Sequence, residues 1–440
     1  EIVGREHVLV DADIRAGYEV DWTGRFRGEA LAVARPGSLD EVVAVVSWCA
    51  RERVGIVPQG GNTGLVGGSV PGAGEPPVVL SLRRLDHIEP VDTAAAQVTA
   101  GAGVTLAALH EHARTVGLAF GVDLAARDSA TVGGLVATNA GGVRVLRHGT
   151  MRTQVLGVEA VLGDGSVVRH LGGLVKDNTG YDLAGLLVGS EGTLGIVTAA
   201  RLRLVPDPPD RLVVLVACPS VADAVALSAA LRARLDGLEA LEAVMAPCLS
   251  VAAERLGLAA AFDPEPECTL LVEWGGWGEP SAALMDLVGE REAVAAADVA
   301  GRARLWHLRE RMTEAIATLG IPHKLDVTLP LARLADFCEA VSPAVRSVAA
   351  DAHVLLFGHL GDGNLHVNVI GPDPADDATD DVVLRLVAEL GGSISAEHGI
   401  GRAKTRWLRL CRSDAEIAAF RAVKAALDPV GILNPGVLLP

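Results

Sequence analysis

The sequence predicts an α+β protein of more than one domain, and three observations carry that reading. Short apolar strands in the first two hundred residues run into glycine-rich loops at 58–69, 129–134, 139–142 and 189–197. The segment Pro206-Asp207-Pro208-Pro209-Asp210 then interrupts any helix or central strand, because proline fixes φ and lacks a backbone donor. Beyond it strand and helix patterns alternate, which implies an antiparallel sheet covered by helices. At 440 residues the chain is long enough for two or three domains, each with its own core.

Taken in order, residues 29–35 read as a short strand. Ser38-Leu39-Asp40-Glu41 has capping-box spacing, with Ser38 as N-cap, and opens a helix to about Arg53. Residues 55–57 form a buried strand that runs into Pro58-Gln59-Gly60-Gly61-Asn62-Thr63-Gly64-Leu65-Val66-Gly67-Gly68-Ser69. Its five glycines expose successive N–H groups, a nest for phosphate oxygens, and no Gly-Lys-Ser/Thr follows to make a Walker loop. Residues 98–101 read as a strand, and 102–105 open a helix to about Val116. Gly101-Ala102-Gly103 with Asp123 downstream imitates a dinucleotide fingerprint, but Leu106 stands where its third glycine belongs. Residues 157–162 and 165–169 form a hairpin around Gly163-Asp164. Four glycine loops in this region point to one large ligand touched by much backbone.

After the junction, 212–217 and 268–274 read as strands, and 220–235 and 280–294 as helices. Leu305, Leu308, Met312, Ala315 and Leu319 form the apolar stripe of one further helix, which carries Arg309 and Thr313 four apart. Lys324 follows on the next strand. Residues 354–357 and 365–370 are two strands about a tight glycine loop. His359 leaves the first, while His366 and Asn368 share a face of the second. Glu397-His398 lies within Ser-Ala-Glu-His-Gly-Ile-Gly. One such histidine alone reads as a loop cap or a satisfied core residue. His359, His366 and the Glu397-His398 pair together read as an open divalent-metal site of imidazole and carboxylate ligands. Residues 414–427 are helical, and Asp428-Pro429 ends the helix ahead of Ile432-Leu433-Asn434.

A net charge of -17 argues against nucleic acid or an anionic membrane as partner. Six scattered cysteines without a C-x-x-C pair argue against an iron–sulfur cluster, a zinc ribbon or a disulfide scaffold, and fit a reduced compartment. With no long apolar run and no basic-then-apolar leader, the expectation is no membrane span and a cytoplasmic location. Lysine occurs at only Lys176, Lys324, Lys404 and Lys424, so each one that persists merits inspection.

Residues 29–205 resemble the FAD-binding domain of the vanillyl-alcohol oxidase / p-cresol methylhydroxylase superfamily, through PQGGNTGLVGG, SATVGGLVATNAGG and VGSEGTLGIVT. The resemblance implies two subdomains cradling FAD. Pro58, Gly60, Gly61, Asn62, Thr63, Gly64, Gly67 and Ser69 would hold the pyrophosphate. Ser129, Thr131, Gly133, Gly134, Asn139, Gly141, Glu191, Gly192, Gly195, Ile196 and Val197 would surround the rest, with Asn434 near the flavin. Some relatives attach the flavin to a histidine of the first loop; Asn62 stands there instead, which implies non-covalent FAD.

Residues 206–440 resemble the C-terminal domain of FAD-linked D-2-hydroxyacid dehydrogenases, through LRERMTEAI, HKLDVTLP, GHLGDGNLHVNV and SISAEHGIG. That resemblance implies Arg309, Thr313 and Lys324 on a substrate carboxylate and Asn368 beside the substrate. It also implies zinc on His359, His366 and Glu397, with His398 as general base. The chemistry implied is hydride transfer from C2 of a D-2-hydroxy acid to flavin N5. D-2-hydroxyglutarate is the substrate expected and D-lactate or glycolate the alternative, while a non-catalytic flavin subunit or a non-redox transferase is more distant. The sequence does not show what reoxidises the flavin; an electron-transfer flavoprotein and a quinone are the candidates, and a homodimer is allowed for. His323 departs from the family pattern, where an aromatic residue stands, and marks the place where substrate fit would differ. The expected domains are 1–205 for FAD, 206–410 for substrate and metal, and 411–440 as a segment returning to the first.

Overall fold

The computed structural model describes residues 2–278 and 281–439, so the start of the helix expected at 280–294 lies outside the described residues. The chain divides into two units. The first comprises Glu1–Gly142, His148–Asp207 and Glu397–Pro440, and the second Val143–Arg147 and Pro208–Ala396. Relative to the expected boundaries, residues 397–410 belong to the first unit and 143–147 to the second. Neither shift has a local sequence signal, because partners distant in sequence decide it: Arg147 bonds Gly237 O and Gly275 O, and the Glu191 carboxylate bonds Ile400 N and Gly401 N.

The first unit contains two sheets. One has β1 (Val8–Leu9), β2 (Ala32–Ala34), β3 (Ile56–Gln59) and β4 (Val78–Ser81) in the order β1-β2-β4-β3. Strands β2, β4 and β3 are parallel, so β2 and β3 need a crossover, and the helix Leu39–Glu52 supplies it. That helix buries Val42, Val45, Val46 and Cys49 at helical spacing. Ser38 accepts from the Glu41 N–H at 3.3 Å, while the Glu41 carboxylate takes Gly37 N at 2.7 Å. The second sheet joins β5 (Gln97–Gly101), β6 (Leu118–Phe120), β7 (Val155–Val161), β8 (Val167–His170) and β9 (Ile196–Pro206). All its pairings are antiparallel, so no βαβ unit surrounds the apparent fingerprint. A Cβ on Gly101 would lie 2.2 Å from the Leu85 carbonyl oxygen and one on Gly103 2.5 Å from that of Leu82. These glycines admit the turn that follows β4 rather than a pyrophosphate.

The C-terminal segment completes the first sheet. The helix Asp414–Leu427 begins at a capping box of Ser413 and Glu416. Past it, Ile56 N donates to Ile432 O at 2.7 Å and Asn434 N to Ile56 O at 2.8 Å, adding Leu433 alongside β3. The buried Asp428 carboxylate accepts from Gly431, Ile432 and Leu433 N–H at 3.1, 3.1 and 2.8 Å and pairs with Lys424.

The second unit is one antiparallel sheet of β10 (Asp210–Cys218), β11 (Leu238–Met245), β12 (Cys268–Gly276), β13 (Ala293–Ala296), β14 (His323–Thr328), β15 (His353–His359) and β16 (Asn364–Ile370), in the order β13-β10-β12-β11-β15-β16-β14. Two local expectations are corrected here, and one strand lies where the sequence reading assigned nothing. Strand β11 reads LEALEAVM, a string of helix formers, yet all eight residues are buried between β12 and β15; sheet pairing overrides propensity. The expected helix 280–294 ends at Val288, and Ala293–Ala296 is an edge strand. The stripe predicted as one helix is two, Val299–Glu310 and Met312–Ala317, with Arg311 at φ −81° and ψ −4° between them. Arg309 and Thr313 therefore sit on successive helices.

Among the described residues the six cysteines form no disulfide, and burial pushes the thiols of Cys49, Cys218, Cys248 and Cys338 up to about 12, which keeps them protonated. Among the described residues no helix is long and apolar enough to cross a membrane.

Candidate functional site

In the first unit the glycine loops meet through backbone contacts that exclude side chains. A Cβ on Gly61 would lie 1.8 Å from Ser129 O, one on Gly60 2.2 Å from Thr131 Oγ1, and one on Gly192 2.7 Å from Pro58 Cγ. Asn434 ties the group together, its Nδ2 donating to Gly68 O at 2.8 Å and to Glu191 O at 2.7 Å. Among the described residues, Thr131 Oγ1 and Asn434 Oδ1 are buried without a hydrogen-bond partner. Two such polar atoms facing glycine backbone are what a polar ligand would satisfy. FAD, with its phosphates and flavin edge, fits that demand.

Other residues expected at the cofactor serve the loops themselves. Asn62 Nδ2 donates to Val20 O at 2.8 Å and its Oδ1 accepts from Ser69 Oγ at 2.8 Å. Asn139 turns the chain at φ 50° and accepts Arg152 N at 2.9 Å. Ile196 and Val197 are core residues of β9, and Gly133 packs on Ala102. The Glu191 carboxylate binds Ile400 N at 2.8 Å and Gly401 N at 2.7 Å, so it braces the loop that follows Glu397-His398. Burial raises its pKa, against the two backbone bonds and Lys404, which lower it. Glu397 Oε1 accepts Gly142 N at 2.6 Å.

In the second unit, strand register assembles the site. Residues directly opposite on antiparallel strands share a face. Glu242 faces His359, Phe357 faces His366, and His366 faces Asp326. Asn368 faces Lys324 two residues along, so all these side chains lie on one face of the sheet. His359 and His366 have ring centroids 5.3 Å apart at 79°. The Arg309 guanidinium lies 4.5 Å from the Phe357 ring centroid, a cation–π contact.

Two buried carboxylates back the two imidazoles. Glu242 accepts His359 Nδ1 with one oxygen and Arg309 Nε with the other, the latter at 2.7 Å. Burial alone would raise the Glu242 pKa, but the charges of His359 and Arg309 outweigh it and hold the group below its ordinary value. Asp326 lies 3.5 Å from His366 Nδ1 and accepts Asn364 Nδ2 at 2.8 Å and Ala396 N at 3.1 Å. A carboxylate on Nδ1 leaves Nε2 as the nitrogen a metal would use, the usual support of a metal-binding histidine. Burial lowers the Lys324 pKa.

His323 does not line this face. One residue before Lys324, it points the other way, fully buried, with Nδ1 on Asp380 at 2.7 Å and Nε2 on Asp373 O at 2.9 Å. Sequence reasoning missed Glu242 and Asp326. Asp326 was within reach, since it sits two residues after Lys324 on a strand. Glu242 had no signal, being hidden in an octet that reads as helix.

Residues 30–170 match the family model of an FAD binding domain, and 207–438 that of the C-terminal domain of FAD linked oxidases. A D-2-hydroxyglutarate dehydrogenase of Xanthomonas citri pv. viticola is 42% identical, over 96% of this chain and 92% of its own. The mitochondrial D-2-hydroxyglutarate dehydrogenase of Bos taurus is 37% identical over 98% of this chain and 81% of its own. Among solved structures, p-cresol methylhydroxylase with substrate bound has a TM-score of 0.80 at 18% identity, covering 99% of this chain and 94% of its own, a likeness of fold. With one family model over more than half of the sequence and relatives alike along nearly all of it, the chain belongs to the FAD-linked oxidases.

Proposed function

We propose that this protein oxidises D-2-hydroxyglutarate to the 2-oxo acid, using non-covalent FAD and a divalent metal, zinc, on His359, His366 and Glu397. The observation that carries the proposal is the sheet face itself, with two carboxylate-backed imidazoles beside Arg309 and Lys324. The names of the relatives support the substrate. When bound, FAD supplies a two-electron acceptor and the metal a Lewis acid at the C2 hydroxyl. His398 takes the hydroxyl proton as general base. Arg309 spends Nε on Glu242, so its terminal Nη pair is the fork for a substrate carboxylate, with Thr313 and Asn368 beside it. Because Glu242 already shares the Arg309 charge, Lys324 is the cation that distinguishes a dicarboxylate from a monocarboxylate. Asn62, engaged with Val20 and Ser69, supports a flavin held without a covalent link.

The test is anaerobic reduction of the bound flavin by a panel of D- and L-2-hydroxy acids, read by absorbance. D-2-hydroxyglutarate should bleach it fastest and the L-enantiomer should fail. Chelation of the metal should stop bleaching while the flavin spectrum persists. Preference for D-lactate would overturn the substrate, and full activity without metal would overturn the ligand assignment.

A further inference from the structure

Glu242 touches both halves of the proposed chemistry with one side chain. We infer that it is the positioning residue that fixes the tautomer of His359 for metal binding, through the same carboxylate that anchors Arg309. The inference rests on the metal and dicarboxylate reading of the sheet face and gives Glu242 a role in metal binding that can be tested apart from its anchoring of Arg309.

The geometry is built into the backbone. Glu242 and His359 are directly paired across β11 and β15, so their side chains meet by register rather than by a rotamer choice. The Glu242 side chain is 1% exposed, and its two oxygens are divided between two donors, Arg309 Nε and His359 Nδ1. An arginine Nε–H donates in every state. With a carboxylate facing it, His359 places its proton on Nδ1, and the Nε2 lone pair becomes the ligand. The cation–π contact of Arg309 with Phe357, whose ring centroid is 5.1 Å from that of His366, joins the second histidine to the same packed group.

Glutamine at 242 separates this role from simple packing. It has the same shape but one acceptor and one donor. Arg309 can only donate, so the amide oxygen turns to Arg309 and the amide NH2 faces His359. Nδ1 must then accept, the proton moves to Nε2, and the metal loses its ligand atom. Arg309 keeps its anchor.

The experiment is zinc affinity by competition with a chromogenic chelator on the FAD-loaded protein, for wild type and Glu242→Gln. The variant should bind zinc about 10- to 100-fold more weakly, the range for removing a histidine's outer carboxylate. At saturating zinc its KM for D-2-hydroxyglutarate should stay within roughly threefold of wild type. Zinc binding equal to wild type would overturn the inference. So would parallel loss of zinc and of KM, which marks a general collapse of the sheet face. If the variant fails to fold, nitrogen-15 histidine NMR of the metal-free wild type decides. The neutral His359 ring should carry its proton on Nδ1, and a neutral ring protonated on Nε2 alone overturns the assignment. A wild type that takes no zinc at all defeats the underlying metal reading instead, so the two failures are distinct.

Discussion

Lys324→Met isolates the residue on which the dicarboxylate assignment turns. Lys324 lies across β14 and β16 from Asn368, next to the Asp326–His366 pair on the same face. A hydrogen bond to a charged group contributes about 1.5–3 kcal/mol, so removing it should cost roughly ten- to a hundredfold in kcat/KM for D-2-hydroxyglutarate. D-lactate, which has no second carboxylate, should lose nothing comparable. Burial lowers the Lys324 pKa below its ordinary 10.5, and that sets the pH behaviour. Between the lowered value and 10.5 the folded protein has released a proton that the unfolded chain still holds, so stability rises with pH across that window. Below it the folded protein bears the cost of a half-buried charge. The variant should therefore unfold no more easily than wild type at neutral pH. It should also lack the alkaline decline in dicarboxylate turnover that begins as Lys324 loses its proton. Steady-state kinetics on both substrates from neutral to alkaline pH, with thermal unfolding alongside, measures all of this. Equal loss on D-lactate, or an unchanged alkaline limb, would refute the reasoning.

Two further outcomes are expected. Acid precipitation should leave yellow FAD in the supernatant, because position 62 carries an amide engaged with Val20 and Ser69; a coloured pellet contradicts this. Asp428→Asn should cost about 3–5 kcal/mol, the range for breaking a buried ion pair, and should weaken FAD retention because Asp428 holds the turn that delivers Asn434. Denaturant unfolding and flavin fluorescence measure the two effects, and a loss near zero would mean the turn is set by other contacts.

Much of the fold was legible where local chemistry decides it. Ser38 starts its helix as its spacing requires, the helix at 414–427 forms where it was read, and the proline-rich junction marks the passage from β9 to β10. Strand alternation placed His366 with Asn368 on one face, and strand pairing added His359 to it. Legibility failed where distant partners decide. Helix formers in β11 become a central strand because β12 and β15 bury them from both sides, and Glu242 was lost with them. Residues 397–410 join the first unit because Glu191, some two hundred residues earlier, binds their backbone. His323 looked like a substrate contact from its place in the motif, but strand alternation turns it to Asp380.

The Asn434 bond to Gly68 spans 366 residues. Synthesis at about 5–20 residues per second separates those two positions by roughly 20–70 s. Throughout that interval the nascent chain carries the loop at 58–69 without the residue that ties it to Glu191, and β3 without its neighbour Leu433. The second unit, nearly contiguous from Pro208 to Ala396, has all seven of its strands outside the ribosome well before then. Cofactor capture is thereby deferred until Asn434 has been made. Ribosome-bound chains with Ile432 still inside the exit tunnel should hold no FAD, and a C-terminal extension that brings Asn434 out of the tunnel should let them acquire it.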